Sequence, residues 1–190
     1  MSLKDYKGKR KFRSTSEPEG SSGRDKNSGK DIGLVFVVQK HFASHLHYDF
    51  RLELEGVLKS WAIPKGPTLD PSNKHLAVLV EDHPFEYKDF SGIIPVGNYG
   101  AGRVEIWDAG TYFALDSSDI KDTAQKVKEG LEKGHITIIL KGNRLNGEFA
   151  FIRLKKAKEN NWLLIKKNDQ FAVRGWDIKI EDEAQDLKKN

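Results

Sequence analysis

The 190-residue sequence has no cysteine and a single methionine. The first absence excludes disulfides, thiolate metal sites and cysteine nucleophiles together. Long apolar runs are missing as well. The longest, Gly33–Val38 and Leu76–Val80, fall far short of the roughly 20 residues a membrane-spanning helix needs. The N-terminus lacks the apolar core of a signal peptide, so a cytoplasmic protein with no membrane partner is expected. There is no glycine-rich Walker loop and no G-x-S-x-G elbow, which sets aside P-loop nucleotide hydrolysis and serine-hydrolase chemistry. The spaced glycines of Gly97–Gly102 match a nucleotide loop only weakly.

Helical periodicity is equally scarce. Only Ser117–Lys133 carries it, with Ile120, Ala124, Val127 and Leu131 on one stripe, Ser117 or Ser118 as cap and Gly134 as stop. The rest reads as short strands between turn signals: Leu34–Lys40, Leu46–Glu55, Val57–Ile63, His75–Asp82, Ile136–Lys141, Gly147–Leu154 and Trp162–Lys167. Arg103–Ala109 and Thr111–Leu115 look like a hairpin pivoting on Ala109-Gly110. Many short strands and one helix argue for a mainly β fold, a barrel or sandwich, and not for βαβ units.

Charge is uneven along the chain. Residues 1–30 hold nine Lys/Arg against four Asp/Glu, and the other 160 residues hold 23 against 24. A basic arm ahead of a nearly neutral body suits a polyanion partner, because its cations release counterions from a phosphate backbone. Low apolar content makes this arm flexible on expectation, above all the linker Gly20–Lys30, although Lys9–Glu17 could dock on the body. Residues 31–180 should form one domain, and 181–190 should fray.

The densest chemistry lies in Gln39–Gly56, QKHFASHLHYDFRLELEG. From Leu46 the alternation sets Leu46, Tyr48, Phe50, Leu52 and Leu54 on one strand face, and His45, His47, Asp49, Arg51 and Glu53 on the other. His47 and Asp49 project about 7 Å apart along that face and can converge on one ion. His41 would stand about 20 Å away on a straight strand, so it joins them only if Phe42–Ser44 turns the chain back. Two imidazoles and a carboxylate suit a divalent metal with open positions for substrate, and they suit zinc or iron as readily as other ions. Arg51 continues the face and can hold two phosphate oxygens, or it can form a strand ion pair with a carboxylate such as Glu53. His83 ends a strand beside Pro84, where it can move a proton or steady a phosphoryl group, and Tyr87 can reach the same pocket. Glu81 and Asp82 are candidates to orient His83 or the metal shell. Lys65 sits in the rigid turn Pro64-Lys65-Gly66-Pro67.

Taken with VEDHPFEY, IPVGNYGAG, WDAGTY and WLLIKKND, the block QKHFASHLHYDFRLELEGVLKSWAIPKGP resembles the 3′-phosphoesterase domain of the ligase D class of bacterial DNA repair proteins, which also has stand-alone relatives in archaea. The likeness runs from about Lys4 to Trp176. It implies a compact β-barrel and a divalent metal, usually manganese, with zinc or cobalt as alternatives. It implies removal of a 3′-terminal ribonucleoside and of a 3′-phosphate from DNA or RNA-containing primer–template ends, with a separate DNA ligase or polymerase as partner. By position, the resemblance assigns the metal to His41, His47 and Asp49. It assigns the scissile phosphate to Arg51 and His83, pocket support to Tyr87, and accessory nucleic-acid or phosphate contacts to Lys65, Gln39, Arg10 and Glu17. Lys11 stands where the family commonly has aspartate, and His75 where arginine is common; both bear on the balance of the two activities. A nucleic-acid-binding module without catalysis, and a barrel acting on small phosphate esters, are the alternative readings.

Overall fold

The computed structural model describes residues 2–20, 33–155, 160–180 and 182. The expected linker beyond Gly20, and the expected tail apart from Asp182, lie outside them. Strands β1 (Leu34–Phe42), β2 (Leu46–Leu54) and β3 (Val57–Ile63) form a meander. They are followed by β4 (Lys74–Leu79), β5 (His83–Pro84), β6 (Gly92–Ile94) and the 13-residue β7 (Gly102–Ala114). Helix α2 (Ile120–Lys133) then leads into β8 (His135–Gly142), β9 (Asn146–Arg153) and β10 (Asn161–Lys166). A short helix α1 (Leu3–Gly8) precedes them all.

Eight of the strands close on themselves in the order β1-β2-β3-β4-β10-β9-β8-β7, with β7 returning to β1 through antiparallel pairs from Leu34–Tyr112 to Phe42–Arg103. Closure removes the unpaired edges of an open sheet. The fold is therefore a closed antiparallel barrel with one main helix. Its interior follows the two-residue period: Phe36 and Val38, Phe50 and Leu52, Trp61 and Ile63, Phe149 and Phe151, Trp162 and Leu164 are all buried in one cluster. Helix α2 adds Val127 to that core, with Ile120, Ala124 and Leu131 packed against it. Its cap is Asp119, whose carboxylate accepts from the Asp122 amide, and not Ser117 or Ser118; Ser117 instead bonds the Ala114 carbonyl and the Thr123 hydroxyl. Gly134 ends it at φ 80°.

The hairpin expected at Ala109-Gly110 does not form. β7 runs straight through, and the partner register slips once, between Val38 and Gln39, so that Trp107 is the extra residue of a bulge. Gly110 marks a close approach, since a Cβ there would stand 2.1 Å from the Lys141 carbonyl oxygen. Beside it, buried Asp108 accepts from the amides of Asn143, Arg144 and Leu145 and ties the β8–β9 turn to β7.

The opposite strand face was expected to be polar, and much of it is also buried, although His45 is exposed and His47 half-buried. Val37, Gln39, His41, Asp49, Arg51, Leu58 and Ser60 lie under a second layer built from residues 2–20 and 83–95. Tyr6, Tyr87, Phe90 and Ile94 form its apolar part, with Leu3, Phe12 and Phe85 packed on them. The first residues of the basic arm thus dock on the barrel wall, and the polar groups between the layers must find partners there. Leu46, read as part of the apolar face, is exposed at the hairpin tip, beyond the reach of the barrel core.

Candidate metal centre and phosphate site

The turn after Phe42 brings His41 directly opposite His47 in the β1–β2 ladder. Asp49 follows two residues along the same face. His41 Nδ1 lies 3.5 Å from one Asp49 oxygen and His47 Nε2 lies 3.7 Å from the other, and one ligand atom of each residue falls within 4.8 Å of the others. The second nitrogen of each ring is held by a carbonyl. His41 Nε2 bonds Gly100 O at 2.9 Å, and His47 Nδ1 bonds His45 O at 3.0 Å. A carbonyl only accepts, so those nitrogens carry protons, and each ring turns its other nitrogen toward the carboxylate. Two imidazole nitrogens and a carboxylate facing one another at these distances could hold a metal ion. A backbone carbonyl behind each imidazole is the usual outer support of a metal ligand.

Arg51 runs beside this group with its guanidinium almost fully enclosed. Its Nε donates to Gln39 Oε1 at 2.6 Å, its Nη1 to Ser60 Oγ at 2.9 Å and its Nη2 to Asp49 at 3.2 Å, and its face lies 4.7 Å from the Tyr87 ring centre. The ion pair is therefore with Asp49 and not with Glu53. Burial raises the Asp49 pKa, but the Arg51 guanidinium and the two histidines outweigh it and hold the carboxyl well below the usual range. Gln39 is a brace: its amide donates to the carbonyls of Tyr87 and Phe90, and its own carbonyl takes Arg51.

His83 stands next to Tyr87, their rings 4.8 Å apart edge to face. Its Nδ1 donates to Glu81 O, and its Nε2 accepts from Arg10 Nη2 at 3.2 Å. Burial first, then the Arg51 and Arg10 charges, push its pKa well below the usual value, so the ring is neutral and Nε2 holds a lone pair. Arg10 reaches this point from the arm because Glu17 and Glu81 clamp it at 3.1 and 2.8 Å. Glu17 also accepts from the Tyr87 hydroxyl, so its carboxylate binds the arm to the pocket wall. Burial pushes the Tyr87 phenol up, and it stays protonated. Glu81 serves through its carbonyl and its Arg10 pair, while Asp82 pairs with Lys59.

A model of the DNA ligase D 3′-phosphoesterase domain matches residues 39–153. The chain belongs to this family. It is 51% identical over 168 residues to the multifunctional non-homologous end joining protein LigD of Pseudomonas aeruginosa, covering 88% of this chain and 19% of that protein. It is 44% identical over 138 residues to the multifunctional non-homologous end joining DNA repair protein LigD of Mycobacterium tuberculosis, covering 73% and 16%. The chain thus spans less than a fifth of the length of these relatives.

Within this phosphoesterase domain the structure brings together His41, His47, Asp49, Arg51, His83, Tyr87, Gln39, Arg10 and Glu17. Lys65 stands apart. It lines a separate cavity of about 850 Å³ on the interior side of the β1–β2 hairpin, with Lys40, His75, Trp176 and Asp182, and none of the metal-site residues lines that cavity. His75 bonds the Gly66 carbonyl there. Three parts of the site escaped the sequence. Ser60 was detectable only from the register that pairs it with Arg51. The Gly100 carbonyl gave no signal. Tyr6, fully buried between Arg10 and His83, lies in an arm whose polar composition gave no sign of it.

Proposed function

We propose that the chain is a divalent-metal-dependent 3′-end phosphoesterase that prepares DNA termini for joining, removing a terminal ribonucleoside as a diesterase and a 3′-phosphate as a monoesterase. The observation that carries this reading is the convergence of two imidazole nitrogens and a carboxylate beside a braced, buried guanidinium. His41, His47 and Asp49 fit a divalent ion, manganese by family resemblance, though their chemistry also admits zinc or cobalt. Bound there, the ion supplies Lewis-acid stabilisation of phosphate oxygens.

The protein's own groups do the rest. Arg51 uses three of its five N–H groups on Gln39, Ser60 and Asp49, which leaves two to grip non-bridging oxygens. Those donors are fixed before substrate arrives, and such preorganisation is the main source of electrostatic catalysis. Neutral His83 offers a lone pair at Nε2 and no proton there, so it acts as an acceptor, from attacking water or from Arg10. Donation to a leaving oxygen would need the charged ring, which burial and two guanidiniums oppose. Arg10 brings a second positive group to the same point. The basic arm draws the protein to DNA in the cytoplasm, where a separate ligase or polymerase would use the healed end.

The test is a primer–template ending in one 3′-ribonucleotide, and a second ending in a 3′-phosphate, each incubated with and without manganese. Shortening of the first and phosphate release from the second, both stopped by chelation, support the reading. Salt-dependent DNA binding with neither product would place the chain among binding modules without catalysis.

A further inference from the structure

Strand β6 and the loop from it to β7 carry three apolar side chains that face solvent: Ile93, Val96 and Tyr99 are 68, 97 and 50% exposed. Such a group on one short segment is unusual for a surface with nothing to bind. The loop is also rigid. Two successive turns close it, Asn98 N–H to Pro95 O and Ala101 N–H to Asn98 O, each at 3.2 Å. Gly97 and Gly100 supply the positive φ values the turns need, 91° and 75°. Ser14 of the arm donates to the Asn98 side chain at 2.7 Å and holds the tip.

Position gives the loop its meaning. Gly100, next to Tyr99, offers the carbonyl that fixes His41. Arg10 links the Tyr99 ring to the pocket, since its guanidinium lies 5.4 Å from that ring's centre and its Nη2 lies 3.2 Å from His83 Nε2. Lys9 and Arg10 lie 4.8 and 5.4 Å from that ring's centre. An exposed aromatic ring flanked by cations and beside a phosphate site is the pattern of a base-stacking platform on a nucleic-acid strand.

We propose that Tyr99, backed by Val96 and Ile93, stacks on the 3′-terminal nucleobase and sets its phosphate over the His41/His47/Asp49 centre. The occupant is a nucleobase, so the loop gives preference for base-bearing ends without reading sequence. This inference rests on the phosphoesterase reading above, and the experiment separates the two.

Wild type, Tyr99→Phe and Tyr99→Ala are compared on two primer–templates, one with a normal 3′-ribonucleotide and one whose terminal ribose lacks a base. Wild type and Tyr99→Phe should favour the base-bearing end by about tenfold in kcat/KM, the scale of one lost stacking contact, and Tyr99→Ala should erase the preference. Equal losses on both ends would make the loop only a support for His41, and an unchanged preference would also overturn the proposal. A terminal 2-aminopurine, read in chelator, gives the answer without turnover. Quenching by wild type that Tyr99→Ala loses supports stacking even if no end is trimmed, and equal quenching by both refutes it.

Discussion

Replacing Gln39 by methionine keeps nearly the same volume and removes three hydrogen bonds from a site with no water access. Gln39 is completely buried, and both ends of its amide are engaged. The two bonds to the Tyr87 and Phe90 carbonyls are neutral and stabilise by about 0.5–1.5 kcal/mol each, while the bond from the Arg51 charge contributes about 1.5–3 kcal/mol. Their loss should destabilise the protein by about 3–5 kcal/mol, which for a chain of this size lowers Tm by on the order of 10 °C. Function should fall further than folding. The freed Arg51 Nε–H no longer fixes the fork, whereas His41, His47 and Asp49 keep their own supports. Manganese binding by calorimetry should therefore persist while kcat for end trimming drops about 100-fold, the cost of misplacing a positioned group. Urea unfolding at matched pH measures the first number. A loss under about 1 kcal/mol with full turnover would refute the claim that Gln39 braces Arg51.

A divalent ion at saturating excess should raise the Tm of wild type by several degrees, since binding at 100 times Kd contributes about 2.7 kcal/mol. Asp49→Asn should lose most of that rise in a thermal melt with manganese, and an equal rise in both would place the ion elsewhere. His83 is held neutral, so below its unfolded pKa of 6.5 the unfolded chain binds a proton that the folded one does not. Wild type should lose up to about 1.4 kcal/mol per pH unit as pH falls through that value, and His83→Gln should lose less over the same denaturant titrations; identical slopes would contradict the neutral ring. Gly110→Ala should cost more than about 3 kcal/mol, or prevent soluble expression, because the new methyl has no room against the Lys141 carbonyl. A Tm within a degree of wild type would show that the strands can separate there.

The barrel strands were legible because apolar side chains alternate at the two-residue period wherever one face meets the core. The clustering of His41, His47 and Asp49 was legible because His47 and Asp49 share a face, and the small residues after Phe42 allow the turn that returns His41. Gly110 misled because a glycine at a strand crossing and a glycine at a turn look the same in one dimension; only the β7–β8 register separates them. The arm was legible only in part. Lys9–Glu17 was read as able to dock, but how it docks shows only where Glu17 and Glu81 clamp Arg10 over the Tyr6 ring, and those partners lie 7 and 71 residues from Arg10. The carbonyls of Gly100 and His45, which set the imidazole tautomers, leave no trace in residue type at all.

The most direct test of the central claim is a manganese titration of 3′-ribonucleotide trimming by wild type and His47→Ala. The account predicts that wild type saturates with metal. His47→Ala, left with one imidazole and one carboxylate, should need at least tenfold more metal or show no trimming at all. Trimming by His47→Ala at the wild-type rate and metal concentration would contradict the assignment of His41, His47 and Asp49 as the metal centre.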